Sequence, residues 1–450
     1  LRGLELKEAT ALNMIDMVGI GPFITIPLIL AAMGGPQAML GWLFGALLAL
    51  CDGLVWAELG AAMPQAGGSY VYLREAYGPH GWGRLLSFLF IWQMLFRAPL
   101  SMASGLIGFA DYLGYVVPGL VTVGEGRTLP HRLVAAGVGL LIIFLLYRRI
   151  TVIGKISLYL WVVVFGTIAW IIFAGLRHFD AARVLTFPPE AFHFSFGFVV
   201  GLGSASLIAI YDYLGYQNVC YLGAEIRQPQ RVIPRAIIIS ILGIAVLYFV
   251  MNVSLISVLP WQEAISSKFI VADFMARLYG PTAAQLATML ILVAAFASVF
   301  SLMLGYSRIP YAAALDGNFF PVFARVHRSK RFPNVSLLAV GGVTVAFSLL
   351  FKLVEVIKGL MAIRILIEFV AQAVAVILLH RAGVRFPFRM WLYPLPALLA
   401  IGLWVWLFLA TGTRFILVGL GVLALGIVVY LIRARLLGEF PFAAKEARVG

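Results

Sequence analysis

The sequence predicts an all-α polytopic membrane protein of about twelve transmembrane helices. Three observations predict it. Of 450 residues, 62% are hydrophobic and 12% charged, with a mean hydropathy of +1.01, whereas soluble domains are about one-quarter charged. Apolar runs of about twenty residues, the length that crosses a bilayer, recur along the chain. Basic residues collect in alternate loops, as membrane topology requires, and this accounts for the +14 net charge without a nucleic-acid-binding patch.

Taken in order, the runs fall near 11–33, 38–63, 85–117, 131–148, 151–176, 196–226, 233–259, 283–306, 335–353, 356–380, 390–411 and 414–434. The run 85–117 is longer than one crossing needs, which predicts a tilted helix kinked at Pro99. The segment 264–279 carries Lys268, Asp273 and Arg277; it is too polar to cross and reads as a surface helix in an extramembrane loop. The first run is long and lacks a small-residue cleavage site, so no cleavable signal peptide is expected. One membrane domain, 1–450, takes the whole chain.

Charge sets the orientation. With the N-terminus inside, the inner loops carry Arg74, Arg84, Arg148, Arg149, Lys155, Arg227, Arg231, Arg235, Arg308, Arg325, Arg328, Lys330, Arg331, Arg381, Arg385 and Arg389. The outer loops carry the fewer Arg127, Arg132, Arg177, Arg183, Lys268, Arg277, Lys352, Lys358 and Arg414. Both termini are therefore expected in the cytoplasm, with the chain in the plasma membrane.

Two runs are interrupted. Gly19-Ile20-Gly21-Pro22 breaks the first, where glycine frees the backbone and proline removes a donor. Tyr211-Asp212-Tyr213-Leu214-Gly215 breaks the sixth. In lipid, a broken helix survives only against a cavity or buried in protein. The interruptions lie five runs apart, so the two halves would be inverted, about 10–176 and 193–380, with additional helices at about 390–434. Paired interruptions of this kind point to a transporter's binding site, although glycine kinks also serve close helix packing.

An ionised carboxylate in mid-membrane costs roughly 3 kcal/mol. Asp212 therefore should face a cavity, where it could bind a cation, carry a coupling proton, or pair with Arg97 or Arg364. Arg364 and Glu368, four apart on one helix, can neutralise each other; Arg97 has no partner within its own helix. Asp16 and Asp52 read either as gate residues or as structural charges near span ends. Gln93 and Ser101 share the face of Arg97 and are candidate lining residues. Ser298 and Ser301, three apart on one face, suit either a Na⁺ site or helix packing.

Enzyme signatures such as HExxH, GxSxG and the P-loop do not occur, and the six histidines are scattered rather than spaced as metal ligands. Cys51 and Cys220 fall in apolar runs and give no disulfide framework. No cofactor is expected beyond a possible coupling ion, Na⁺ or H⁺.

The segment Glu58–Gly78, ELGAAMPQAGGSYVYLREAYG, resembles the span 2 to span 3 signature of amino-acid permeases of the APC (amino acid-polyamine-organocation) superfamily. Gly19-Ile20-Gly21 with Pro27 is similar to their first-span motif. Gly223-Ala224-Glu225 through Pro229, with Ile233-Pro234-Arg235-Ala236, is similar to their post-span-6 motif, and Arg308–Pro321 to the loop after span 8. The resemblance implies a LeuT-type repeat of five plus five spans with broken helices 1 and 6, and two further spans. It implies a substrate site at Gly19, Ile20, Gly21, the Tyr211–Gly215 break and Gln217, with residues of spans 3, 8 and 10. Some relatives couple protons through a lysine inside span 5; here Gly166, Thr167 and Ala169 occupy that neighbourhood.

The function expected is secondary active transport of amino acids or related amines, with polyamines as a substrate variant, by ion-coupled symport or exchange. The breaks would hold the amine and carboxylate, and Tyr211, Tyr213 and Phe23 would occlude the substrate. The alternative is a transport-incompetent amino-acid sensor on the same fold, normally with a soluble signalling domain; only the Ala443–Gly450 tail follows the last helix. The partners expected are the substrate and the lipid bilayer, with the protein a monomer or homodimer.

Overall fold

The computed structural model describes residues 4–65, 67–120, 128–147, 150–317, 319–327 and 332–442. Of the loop charges named above, Arg127, Arg148, Arg149, Arg328, Lys330 and Arg331 lie outside the described residues, as does the tail from Ala443.

The first apolar run becomes three helical pieces, α1 (Leu6–Met17), α2 (Gly21–Ile24) and α3 (Ile26–Met33), with a 60° bend at Thr25. α3 ends on Gly34, whose φ of 68° is the left-handed cap glycine tolerates. α4 (Met39–Ala62) and a short α5 (Ser69–Ala76) lead into α6 (Gly83–Val116), 34 residues long and unbroken through Pro99. α7 (Leu129–Leu146) starts on Thr128, whose hydroxyl accepts from the backbone N–H of His131. α8 (Ile150–Arg177) and the one-turn α9 (Ala181–Val184) follow.

The sixth run gives α10 (Phe196–Tyr213), four turn residues and the one-turn α11 (Asn218–Tyr221). α12 (Pro229–Val258) takes a proline at its first position, where no N–H partner is lost. The segment expected as one surface helix is two, α13 (Trp261–Ser266) and α14 (Ile270–Tyr279). α14 is an amphipathic surface helix: Ile270, Val271, Phe274 and Met275 are buried where it packs on α15 (Pro281–Tyr306), while Asp273 and Arg277 are exposed. Its charges stay on the opposite face, which satisfies both the polar and the apolar residues of the segment.

The chain continues through α16 (Arg308–Leu315) and α17 (Asn334–Leu350). α18 (Leu353–Arg364) passes through a π-helical turn, Ile365–Ala371, into α19 (Gln372–Arg381). α20 (Leu395–Ala410) and α21 (Thr413–Leu437) complete it.

Among the described residues the only β feature is a single bridge, Leu4 to Ile226. Among the described residues eight helical segments are long and apolar enough to cross a membrane, nine if the bent α1–α3 run is one span. Three shorter apolar helices, Val162–Arg177, Asn334–Leu350 and Leu395–Ala410, coincide with the expected runs at 151–176, 335–353 and 390–411. This is a multi-pass membrane protein. Burial ranks the helices: 72% of the most apolar window of Gly78–Val116 is buried against 17% for Thr413–Leu437. α6 is therefore a central post and α21 a lipid-facing edge. α4 lies in contact with both α10 and α12. A Cβ at Gly41 would stand 2.8 Å from that of Ala205, so small residues set how closely α4 approaches α10.

Candidate functional site

Both interrupted runs meet at the centre of the bundle. After Met17 the backbone leaves the helix over Val18–Ile20 and resumes at Gly21. The second break lies slightly later than the sequence suggests. Tyr211, Asp212 and Tyr213 form the last turn of α10, and the interruption is Leu214–Gln217. It begins where Leu214 becomes extended and Gly215 takes φ 136°, a conformation side chains disfavour. A Cβ on Gly215 would also stand 2.7 Å from the Met17 nitrogen. Only glycine lets the second break lie directly on the first.

Side chains lock this junction. Asn13 donates to the Tyr216 carbonyl (2.7 Å) and accepts from the Val219 N–H (2.9 Å). Tyr248 donates to the Met17 carbonyl (2.7 Å). The Gly215 N–H donates to Oε1 of Gln217 (3.1 Å), so Gln217 caps its own break. Asp16 accepts from Asn218 and, at 3.2 Å, from Ser301.

Between the breaks is a cavity of about 50 Å³, lined by Gly19, Ile20 and Gly21, by Tyr211, Asp212, Leu214 and Gly215, and by Asp16, Ser101, Ser104, Ser298 and Arg364. It has room for a few waters but not for an amino acid. Asp212 is 2% exposed. Its Oδ2 accepts from the Thr25 hydroxyl at 2.6 Å, while Oδ1 has no hydrogen-bond partner among the described residues and would collide with any Cβ on Gly21. The Tyr211 hydroxyl is 2.5 Å from Ser104 Oγ, which ties this aromatic wall to α6.

The arginines are occupied elsewhere. Glu368 receives Arg364 through two bonds of 2.9 Å and Arg97 at 3.1 Å, with the Tyr221 hydroxyl donating at 3.2 Å. Among the described residues no ion pair joins Asp212 to either arginine. Arg97 belongs instead to a buried cluster of two cations and one anion, seated on the π-helical turn that carries Glu368. Such turns recur at functional sites. Asp52 likewise faces protein: it accepts from the Tyr216 hydroxyl (2.6 Å) and the Trp404 indole (3.1 Å). It anchors the second break to α20 and does not line the cavity.

Other expected site residues sit behind the wall. The Phe23 carbonyl accepts from Tyr112 at 2.7 Å, and the Phe23 ring is fully buried. Tyr213 packs edge-on to Trp42, with centroids 5.8 Å apart. Gln93 is buried on α6 and lines no described cavity. Ser298 faces the central cavity, whereas Ser301 faces a second one. Thr25, Ser104 and Tyr306 escaped the sequence reading. Ser104 had a signal, since it lies three residues after Ser101 on the same helical face; Thr25 gave none.

The amino acid permease family model matches residues 4–431. The chain belongs to that family. This permease is 26% identical over 414 residues to the serine/threonine exchanger SteT of Bacillus subtilis, covering 88% of each chain. It is 25% identical to cationic amino acid transporter 4 of Mus musculus, over 84% of the permease and 60% of the relative. It is 28% identical to the aspartate-proton symporter of Bacillus subtilis, over 68% of the permease and 59% of that protein. The permease is thus a transporter by family and not an enzyme.

Proposed function

We propose that the permease is a secondary active transporter of amino acids or related amines, working by alternating access. The observation that carries this is the junction of the two breaks around a buried carboxylate oxygen without a partner. A half-satisfied buried carboxylate costs free energy, and a substrate ammonium or a proton reaching Oδ1 of Asp212 removes that cost. The broken backbone at Gly19–Gly21 offers polar groups to the rest of the zwitterion, and Tyr211, hinged on Ser104, is the aromatic that closes over it.

The architecture in this reading is the LeuT-type one: about twelve spans, inverted repeats at about 10–176 and 193–380, and two more helices at about 390–434. Both termini are cytoplasmic and the bilayer is the plasma membrane. The driving force is an ion gradient, H⁺ or Na⁺, or exchange. The relatives named above are an exchanger, a cationic amino acid transporter and an aspartate-proton symporter, which supports exchange or proton coupling; Na⁺ coupling has no such support. The cavity of about 50 Å³ is contracted, and substrate enters only when Tyr211 or the first break moves.

The test is uptake and counterflow in proteoliposomes across a panel of amino acids and polyamines, with and without Na⁺ and pH gradients. Saturable flux of at least one amino acid supports the reading; binding without any flux would instead make the protein a sensor.

A further inference from the structure

α12 turns one continuous face outward. From Arg231 to Phe249 its exposed residues are Arg231, Arg235, Ile239, Leu242, Val246 and Phe249. They recur at intervals of three or four, which is one side of a helix. The four apolar members are 38–65% exposed, so in a membrane this face meets lipid rather than protein. Ile239 to Phe249 runs about 15 Å at 1.5 Å per residue, the depth of one leaflet of a hydrocarbon core about 30 Å thick. The stripe therefore spans a leaflet, and the two arginines stand at its headgroup end.

These arginines differ from most of the chain's other loop cations. Arg74, Arg84, Arg227 and Arg433 each hold a carboxylate of the protein. Arg231 and Arg235 make no hydrogen bond and no ion pair among the described residues. The carboxylates at the start of α1, the neighbouring helix, are engaged: Glu5 pairs with Arg227 at 3.1 Å, and Glu8 accepts from the Glu5 N–H at 3.1 Å. Side chains four apart on a helix begin about 5–6 Å from each other, and like charges so placed repel. An anion between the two guanidinium groups removes that repulsion, and the planar N–H fork of arginine matches the oxygens of a phosphate.

We propose that this face of α12 binds an anionic glycerophospholipid, its phosphate between Arg231 and Arg235 and one acyl chain along the stripe from Ile239 to Phe249. Charge complementarity selects the anionic headgroup, since a choline or ethanolamine headgroup brings its own cation to the same phosphate. The opposite face of the helix holds the first break: Tyr248 donates to the Met17 carbonyl (2.7 Å) and Asn13 to Ser240 (3.4 Å). The lipid thus seats against the helix that fixes this break. Its binding is measured without reference to transport.

Full-length permease in detergent is titrated with dioleoylphosphatidylglycerol or dioleoylphosphatidylcholine, and bound lipid is counted by native mass spectrometry. One phosphatidylglycerol is expected to bind roughly thirtyfold more tightly than phosphatidylcholine, the preference that two basic residues supply. Arg231→Gln/Arg235→Gln should abolish that preference. Arg381→Gln/Arg385→Gln removes the same charge from exposed positions at the end of α19, which has no exposed residue between Gln372 and His380, and should keep it. Phosphatidylcholine binding, expected to be equal in all three proteins, reports that each is folded. The proposal is overturned if wild type binds the two lipids alike or if Arg231→Gln/Arg235→Gln keeps the preference. It also falls if both double variants lose the preference equally, which would make the effect one of net charge. Inorganic phosphate should not displace the lipid; displacement would make the pair a free-anion site and sink the lipid reading.

Discussion

Asp212 and Gly21, 191 positions apart in the chain, share one space: the carboxylate oxygen Oδ1 occupies the volume that a Cβ on Gly21 would need. The glycine is therefore the condition for a charged side chain to sit at the mouth of the first break. Gly21→Val should abolish uptake in proteoliposomes while the protein still inserts and purifies as a single species. Gly21→Ala should already lower uptake at least tenfold. Wild-type flux in either variant would show that the junction opens during transport by more than one methyl group.

The Thr25 hydroxyl is the one donor that Asp212 has among the described residues. A hydrogen bond to a charged group is worth about 1.5–3 kcal/mol, or roughly ten- to a hundredfold in affinity. Thr25→Val is expected to raise the apparent KM for substrate or coupling ion by that factor, and Thr25→Ser to restore it. Asp212→Asn, which keeps the shape and removes the charge, should reduce transport further than Thr25→Val does. Initial-rate uptake against concentration separates the three.

The Arg97–Glu368–Arg364 cluster makes an asymmetric prediction. Removing Glu368 leaves two buried guanidinium groups without their anion, and breaking a buried pair this way costs about 3–5 kcal/mol. Removing Arg97 leaves the Arg364–Glu368 pair neutral. Glu368→Gln should therefore lower the thermal transition in detergent much more than Arg97→Met. Combining Arg97→Met with Glu368→Gln should recover part of the loss. Equal losses from the two single changes would show that the cluster is wetter than its 1–3% side-chain exposure indicates.

Asp52 accepts from the Tyr216 hydroxyl and the Trp404 indole and does not line the central cavity, so its variants should separate stability from transport kinetics. Tyr216→Phe and Trp404→Phe each delete one donor to it and are expected to cost about 1–3 kcal/mol apiece, with apparent KM within about twofold of wild type. Thermal unfolding and uptake on the same preparations check both.

The breaks were legible in the sequence because glycine and proline inside an apolar run are local signals, and because an aspartate in such a run is costly wherever it points. The later start of the second break was not legible: Tyr211–Tyr213 stay helical, and the turn waits for the one residue, Gly215, that can take the positive φ. Partners far apart in the chain left no local trace. Nothing near Arg97 announces Glu368, and nothing near Asp52 announces Trp404. In segment 264–279 the charges that mark a surface helix are visible in a window, whereas its split into α13 and α14 and the burial of Phe274 against α15 depend on packing and were not legible. Cavity walls such as Tyr306 and Leu302 are ordinary apolar residues in sequence, and only packing tells them from core.

Trp404 has one further implication. Besides holding Asp52, its indole lies flat against Phe369, with centroids 3.9 Å apart and planes within 3°, and the Arg364 guanidinium rests on the same phenyl ring at 4.6 Å. A helix from outside the proposed repeats thus reaches the π-helical turn and the second break together. In domain-exchange experiments between relatives, α20 is not an interchangeable end piece. A chimaera that imports another permease's last two helices should transport only if residues 52, 216 and 369 are imported with them.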